Sequence, residues 1–207
     1  MTLQQILSFI LASAALTILP GPDNIFVLTQ SLTRGKKYGL GISLGLVSGL
    51  IIHTFLAAFG ISLLISQSAT VFTIIKYLGT AYLFYMALSA LKEKPIQDIE
   101  TNNNTTDKVS FSSLWTKGLV MNLLNPKVIV FFLAFFPQFI SEDTYAAHWQ
   151  MIILGLCFMA VALIIFSLIS FLAGYFSKFL NKAKFWTIVK WAKFFILVGI
   201  GLALLLT

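Results

Sequence analysis

Six apolar runs, each near or above the roughly 20 residues a helix needs to cross a bilayer, take up most of the chain: about 3–33, 39–65, 69–91, 117–140, 148–177 and 185–206. Of the 207 residues, 58% are hydrophobic and only 10% charged. A soluble domain of this size does not bury that much apolar surface, so the solvent is lipid. Only helices and closed barrels satisfy their backbone groups in lipid, and runs of this length predict helices. The expected fold is an all-α integral membrane protein with six transmembrane helices. No Lys or Arg precedes the first run and the apolar pattern resumes beyond its prolines, so a cleaved signal peptide is not expected.

The polar residues are as informative as the apolar ones. One long polar stretch, KEKPIQDIETNNNTTDKVSFSS at 92–113, divides the chain near its middle. Its Asn/Thr run has no core-forming residues and reads as a loop. The chain is then one domain of two halves, 1–92 and 114–207, joined by the loop 93–113. Basic residues collect on one face. Arg34, Lys36 and Lys37 follow the first span; Lys92, Lys94, Lys108 and Lys117 surround the loop; Lys178, Lys182, Lys184, Lys190 and Lys193 surround the last turn. These are 12 of the 14 basic residues, whereas the other face has Lys76 opposed by Glu142 and Asp143. The positive-inside rule makes the basic face cytoplasmic and puts both termini outside the inner membrane. Trp186 and Trp191 beside the last lysines suit an interfacial belt. The net charge of +7 is thus directed at lipid headgroups rather than nucleic acid.

Three spans per half is an odd number, so the second half runs through the membrane opposite to the first. Each half opens on a span broken by proline, at Pro20 and Pro22 in LTILPGPDNIFVLTQ and at Pro126 in NLLNPKVIVFF. Paired interrupted helices in two inverted halves are the sequence mark of a transporter's substrate site. Proline frees the carbonyl four residues earlier, here those of Leu16, Ile18 and Asn122. Such groups are tolerated at membrane depth only against protein or a wet cavity. A broken helix also presents a new positive dipole end, suited to an anion. Gly21 is expected to end the incoming half-helix, with Pro22, Asp23 and Asn24 in the first turn of the outgoing one. Asn125 reads as an N-cap, Pro126 as the first helical residue and Lys127 as a first-turn cation of the wrong sign for its own dipole.

Asp23 is the one acid and Lys127 the one base clearly inside the spans. They lie 11 and 10 residues from Arg34 and Lys117, each ~15 Å deep at 1.5 Å per residue. An uncompensated charge at that depth costs at least about 2.5 to 3.5 kcal/mol. The pair therefore face each other, share a ligand or meet water; the alternatives are a cap role for Asp23 and snorkelling for Lys127. A zwitterionic amino acid fits, its carboxylate on Lys127 and its ammonium on Asp23. Asn24, Asn122 and Asn125 supply further hydrogen bonds. In the second span Gly41, Gly45 and Gly49 recur at four-residue spacing, a helix-packing stripe that also suits a homodimer, and His53 continues that face as a candidate proton relay with Asp23.

Catalysis is not expected. There are no paired carboxylates in the spans, no Gly-rich phosphate loop and no nucleophile with a base. The two histidines lie 95 residues apart and Cys157 stands alone, so neither a cofactor nor a metal centre is expected. Any pumping draws on a gradient. Three segments, LPGPDNIFVLTQSLTRGKKYGLGISLGLVSGL, KYLGTAYLFYMAL and VMNLLNPKVIVFFLAFFPQF, resemble the LysE/RhtB family of bacterial amino-acid exporters, on the homoserine, threonine and leucine side. The resemblance covers essentially the whole chain. It implies six inner-membrane helices and efflux of amino acids coupled to protons. Its motif falls on Pro20, Gly21, Pro22 and Asp23, then Asn122, Asn125, Pro126 and Lys127. The alternative, an exporter of metal ions or another small solute, needs more acids or thiols in the spans than Asp23 alone.

Overall fold

The computed structural model describes residues 1–61, 68–93, 110–141, 146–180 and 182–206, and every regular element in them is helical. Most of the polar loop, with Lys94 and Lys108, and the acids Glu142 and Asp143 lie outside the described residues. The first broken span is α1 (Leu3–Ile18) followed by α2 (Pro22–Arg34), bent by 60°. Then come α3 (Lys36–Leu56), prolonged by a π-helical turn over Ala57–Ile61, and α4 (Ala69–Lys92). The second broken span is α5 (Phe111–Leu123) with the short α6 (Pro126–Val130), the latter drawn out by a π-helical turn Phe131–Phe135 and a 3-10 turn Phe136–Phe139. Its bend is 50°. Last are α7 (Ala147–Phe171), α8 (Ala173–Leu180) and α9 (Ala183–Leu206). Among the described residues four helices are long and apolar enough to cross a membrane, and up to six spans result if each bent pair counts as one.

Which residues meet across the helices fixes their directions. Gly35, at φ 99°, makes the tight turn between α2 and α3, a conformation only glycine adopts cheaply, and folds Gly39 back onto Ser31. On the other side of α3, Gly45 meets Trp115 and Leu119 while Gly49 meets Asn122, so α3 and α5 run parallel. The two broken spans are therefore antiparallel. Gly39 near Ser170 and Thr54 near Gly155 set α3 against α7 in opposite directions. Gly79 near Leu204, Phe84 near Gly201 and Glu93 paired with Lys193 do the same for α4 and α9. Each span of the first half thus has an antiparallel counterpart in the second, the inverted arrangement expected from three spans per half.

Two boundaries differ from the hydropathy reading. Helix α5 begins at Phe111 rather than 117, because Ser110 caps it by accepting from the Ser113 N–H, and a polar first turn leaves no hydropathy signal. The apolar run 148–177 is divided: α7 ends at Phe171 and α8 follows after Leu172. The 25 residues of α7 already exceed the ~20 needed to cross the core, so α8 is not needed for the crossing.

The core lies between the broken spans and α3 and α7. Phe9 of α1 is its hub, with ring centroids of Phe136, Phe139 and Phe131 at 5.1, 5.2 and 5.9 Å. Glycine permits the closest approach. A Cβ on Gly45 would lie 2.0 Å from the Trp115 carbonyl oxygen, and one on Gly118 would lie 2.2 Å from that of Ile42. On Gly41 it would meet Leu114 at 3.4 Å, an ordinary contact. This glycine stripe is used within the protomer, so a homodimer would need another surface. Gly45→Ala is expected to destabilise the protein by about 1 to 3 kcal/mol through overpacking, and Gly41→Ala to leave its Tm in detergent nearly unchanged; equal effects of the two would contradict the α3–α5 interlock.

Candidate functional site

The carbonyls that proline frees are where the site begins. Helix α1 stops at Ile18 because Pro20 and Pro22 supply no N–H to continue it. Its last carbonyls point into the protein without helical partners. Lys127 Nζ donates to Leu16 O and Leu19 O, each at 3.1 Å. Asn24 Nδ2 donates to Thr17 O at 2.8 Å and reaches Ile18 O at 3.5 Å. At the second break His53 Nε2 lies 3.4 Å from Asn122 O, which also accepts from the Asn125 N–H at 3.0 Å. All three carbonyls expected from proline spacing thus have polar partners, two of them from distant parts of the sequence.

Lys127 is 3% exposed and Asp23 likewise 3%. Their Nζ and Oδ2 atoms are 3.5 Å apart, so the two intramembrane charges neutralise each other. The position of Lys127, unfavourable for its own half-helix, suits the negative C-terminal end of α1, where its ammonium finds two carbonyls and a carboxylate. Asn125 joins the partners: its Oδ1 accepts from the Lys127 N–H at 3.1 Å and its Nδ2 donates to Asp23 Oδ2 at 3.3 Å. The expected N-cap is therefore present and has a second use.

Two readings of the first break are corrected. Gly21 does not close α1; Leu19 is the C-cap and Gly21 is the N-cap of α2, with extended backbone at φ −146°. Space is what calls for glycine there, since a Cβ would lie 2.7 Å from Asp23 Oδ1 and 3.6 Å from Lys127 Nζ. The alternative that Asp23 caps α2 also falls, because its Oδ1 has no hydrogen-bond partner and its Oδ2 accepts from Asn125 Nδ2 rather than from a first-turn N–H.

Asp23, Asn122 and Lys127 line a cavity of about 10 Å3, the size of a single water molecule. Leu16 and Thr17 at the end of α1 and the apolar side chains of Leu50, Val128, Phe158, Ala162 and Phe166 complete its wall. Asp23 Oδ1 and Asn122 Oδ1 are buried without a hydrogen-bond partner. Unpaired buried acceptors are uncommon and costly, and they call for a donor. Asn24 and His53 stand apart from this cavity. Asn24 braces the end of α1, and His53 stacks on Phe132 at 5.3 Å with Asn122 as its link to the site. Pro22 and Pro126 begin α2 and α6. The wall residues Ala162 and Phe166 and the carbonyl of Leu19 carry no sequence signal, since apolar side chains and backbone groups look alike in every span. Among the described residues no three His, Cys, Asp or Glu side chains come together as a metal set.

Inverted halves whose broken spans meet at a buried charge pair are the plan of a membrane translocator. The family model for LysE type translocators matches residues 14–207, and the chain belongs to that family. It is 31% identical over 206 residues to the uncharacterized membrane protein YrhP of Bacillus subtilis, covering 97% of this chain and 98% of that one. An uncharacterized membrane protein of Vibrio cholerae is 32% identical over 183 residues, covering 87% and 86%. The leucine efflux protein of Salmonella typhimurium is 33% identical over 141 residues, covering 68% of this chain and 65% of its own. No solved structure matches.

Removing one partner of a buried ion pair costs about 3 to 5 kcal/mol. Lys127→Met and Asp23→Asn are each expected to lower stability by that order, and the double variant by clearly less than their sum, as measured by denaturant unfolding in detergent. Additive losses would mean that the two charges do not support each other.

Proposed function

We propose that the protein exports a small aliphatic amino acid by proton antiport, with the paired helix breaks as its substrate site. The observation that carries this reading is the buried Asp23–Lys127 pair beside two unpartnered acceptors, Asp23 Oδ1 and Asn122 Oδ1. A zwitterion replaces one internal ion pair by two external ones. Its ammonium goes to Asp23 Oδ1 and Asn122 Oδ1, and its carboxylate takes Lys127 from the Leu16 and Leu19 carbonyls. The total charge in the membrane stays zero, which avoids the cost of an isolated ion.

Exchange follows from competition at one carboxylate. The substrate's ammonium and a proton compete for the Asp23 carboxylate, Lys127 resting on the Leu16 and Leu19 carbonyls when Asp23 is protonated, and a site that takes one or the other couples opposite fluxes. Asn125 keeps the carboxylate oriented, Asn24 holds the end of α1 against its break, and His53 acts on the site through Asn122. The apolar wall from Leu50 to Phe166 accepts an aliphatic side chain, in keeping with the relative named as a leucine efflux protein. Nothing in this scheme makes or breaks a covalent bond, so the protein acts as a transporter rather than an enzyme. The repeats 1–92 and 114–207 rock about the site, with the lysine-rich face in the cytoplasm and both termini outside the inner membrane.

Export of radiolabelled leucine, threonine and homoserine from loaded cells tests the assignment. Lys127→Ala, at equal protein level, is expected to lower export at least about tenfold, the equivalent of one charge-assisted contact. Asp23→Asn is expected to abolish the response of export to an imposed pH gradient. Parental export by Lys127→Ala would remove the carboxylate role, and an unchanged pH response in Asp23→Asn would remove the coupling role.

A further inference from the structure

A second concavity lies on the other side of the first break, facing away from the charge pair. This groove, of about 450 Å3, falls within the roughly 300 to 1,000 Å3 of small-molecule sites. It runs between Pro20 and Asn24 at the break, Ile165 and Leu172 near the end of α7, and the α9 strip from Phe185 to Ile196. Apart from Asn24 and Trp186 every lining side chain is apolar, so a zwitterion finds almost nothing polar there.

We propose that this groove holds one acyl chain of an anionic phospholipid whose headgroup rests on Lys182 and Lys184. Length is the first reason. The α9 strip rises 11 residues from Phe185 to Ile196, ~16 Å at 1.5 Å per residue, close to half of the roughly 30 Å hydrocarbon core. The groove therefore spans one leaflet, from the lysine-rich face to the depth of the break.

Charge is the second reason. Lys182 and Lys184 are exposed and immediately precede the lining residues Phe185 and Trp186, and Lys36 lies over the Phe171 ring at 5.1 Å on the neighbouring helix end. From Thr144 to Thr207 the sequence has five lysines and no acid. Basic clusters at a membrane face select anionic lipids. The inner end of the groove touches Pro20 and Asn24, the immediate surroundings of Asp23, so a seated chain bears directly on the break.

Trp186 lines the groove and reports on its occupant. The full-length protein would be reconstituted into vesicles doped with phosphatidylglycerol or phosphatidylcholine carrying brominated acyl chains. The Trp186 signal is the difference between the parent and Trp186→Phe. Phosphatidylglycerol is expected to half-quench it at a mole fraction at least about fivefold lower than phosphatidylcholine does. Lys182→Gln with Lys184→Gln should erase that preference. Ala192→Phe, an exposed position that fills the groove without disturbing the core, should weaken quenching by both lipids. Equal quenching by the two lipids in the parent would overturn the proposal in favour of ordinary annular lipid. So would quenching unaffected by Ala192→Phe, or quenching abolished by excess leucine, which would make the groove a substrate vestibule.

Discussion

The ammonium of Lys127 is the point on which the architecture turns. Its three donors meet Leu16 O, Leu19 O and the Asp23 carboxylate, so one side chain from the second half closes the carbonyl end of a helix in the first. Proline makes this possible: Pro20 lacks the N–H that would have taken the Leu16 carbonyl, and the helix end it forces leaves Leu19 as the C-cap with its carbonyl beyond the α1 ladder. Without the break the lysine would have no free backbone carbonyls at that depth, and without the lysine the broken end would be an unsatisfied helix terminus in hydrocarbon. Each defect is the remedy for the other, and together they pin the two halves at mid-membrane.

The same geometry limits what the site does in this conformation. A cavity of about 10 Å3 admits no amino acid, and every Lys127 donor is occupied. Described side chains occupy both sides of the pair. Ser31, Gly39 and Ser170 come together toward the lysine-rich face, and the rings around Phe9 fill the opposite side. Opening toward the lysine-rich face means parting small side chains, whereas opening away from it means moving phenylalanines carried on π-helical and 3-10 turns. Such irregular turns often sit at functional positions, and here they give the second broken span a backbone already released from a continuous α-helical ladder.

Much of this was legible in the sequence because hydropathy and proline are strong local signals. The six spans, their inversion, both breaks and the three freed carbonyls followed from run lengths and the four-residue reach of a helical hydrogen bond. The proximity of Asp23 and Lys127 was one of the outcomes that equal depth and the cost of isolated charge favoured, beside a shared ligand or water. Less local features were not legible. Gly21 was misread because glycine serves left-handed caps and tight packing equally, and only the nearness of Asp23 Oδ1 separates them. Asn24 adjoins Asp23 in sequence, yet helical rotation turns it to the opposite side, toward the α1 carbonyls. The division at Leu172 had no signal because α7 and α8 are both apolar.

The central claim is that a zwitterion exchanges with the Asp23–Lys127 pair, supplying one charge to each. Calorimetric binding to the purified protein tests it with leucine, its decarboxylated amine and its deaminated acid. Each analogue leaves one buried charge unpaired, and is expected to bind at least about tenfold more weakly than leucine, since a lost charged contact costs roughly 1.5 to 3 kcal/mol. If either analogue binds as tightly as leucine, one of the two charges takes no part in recognition and the account is wrong.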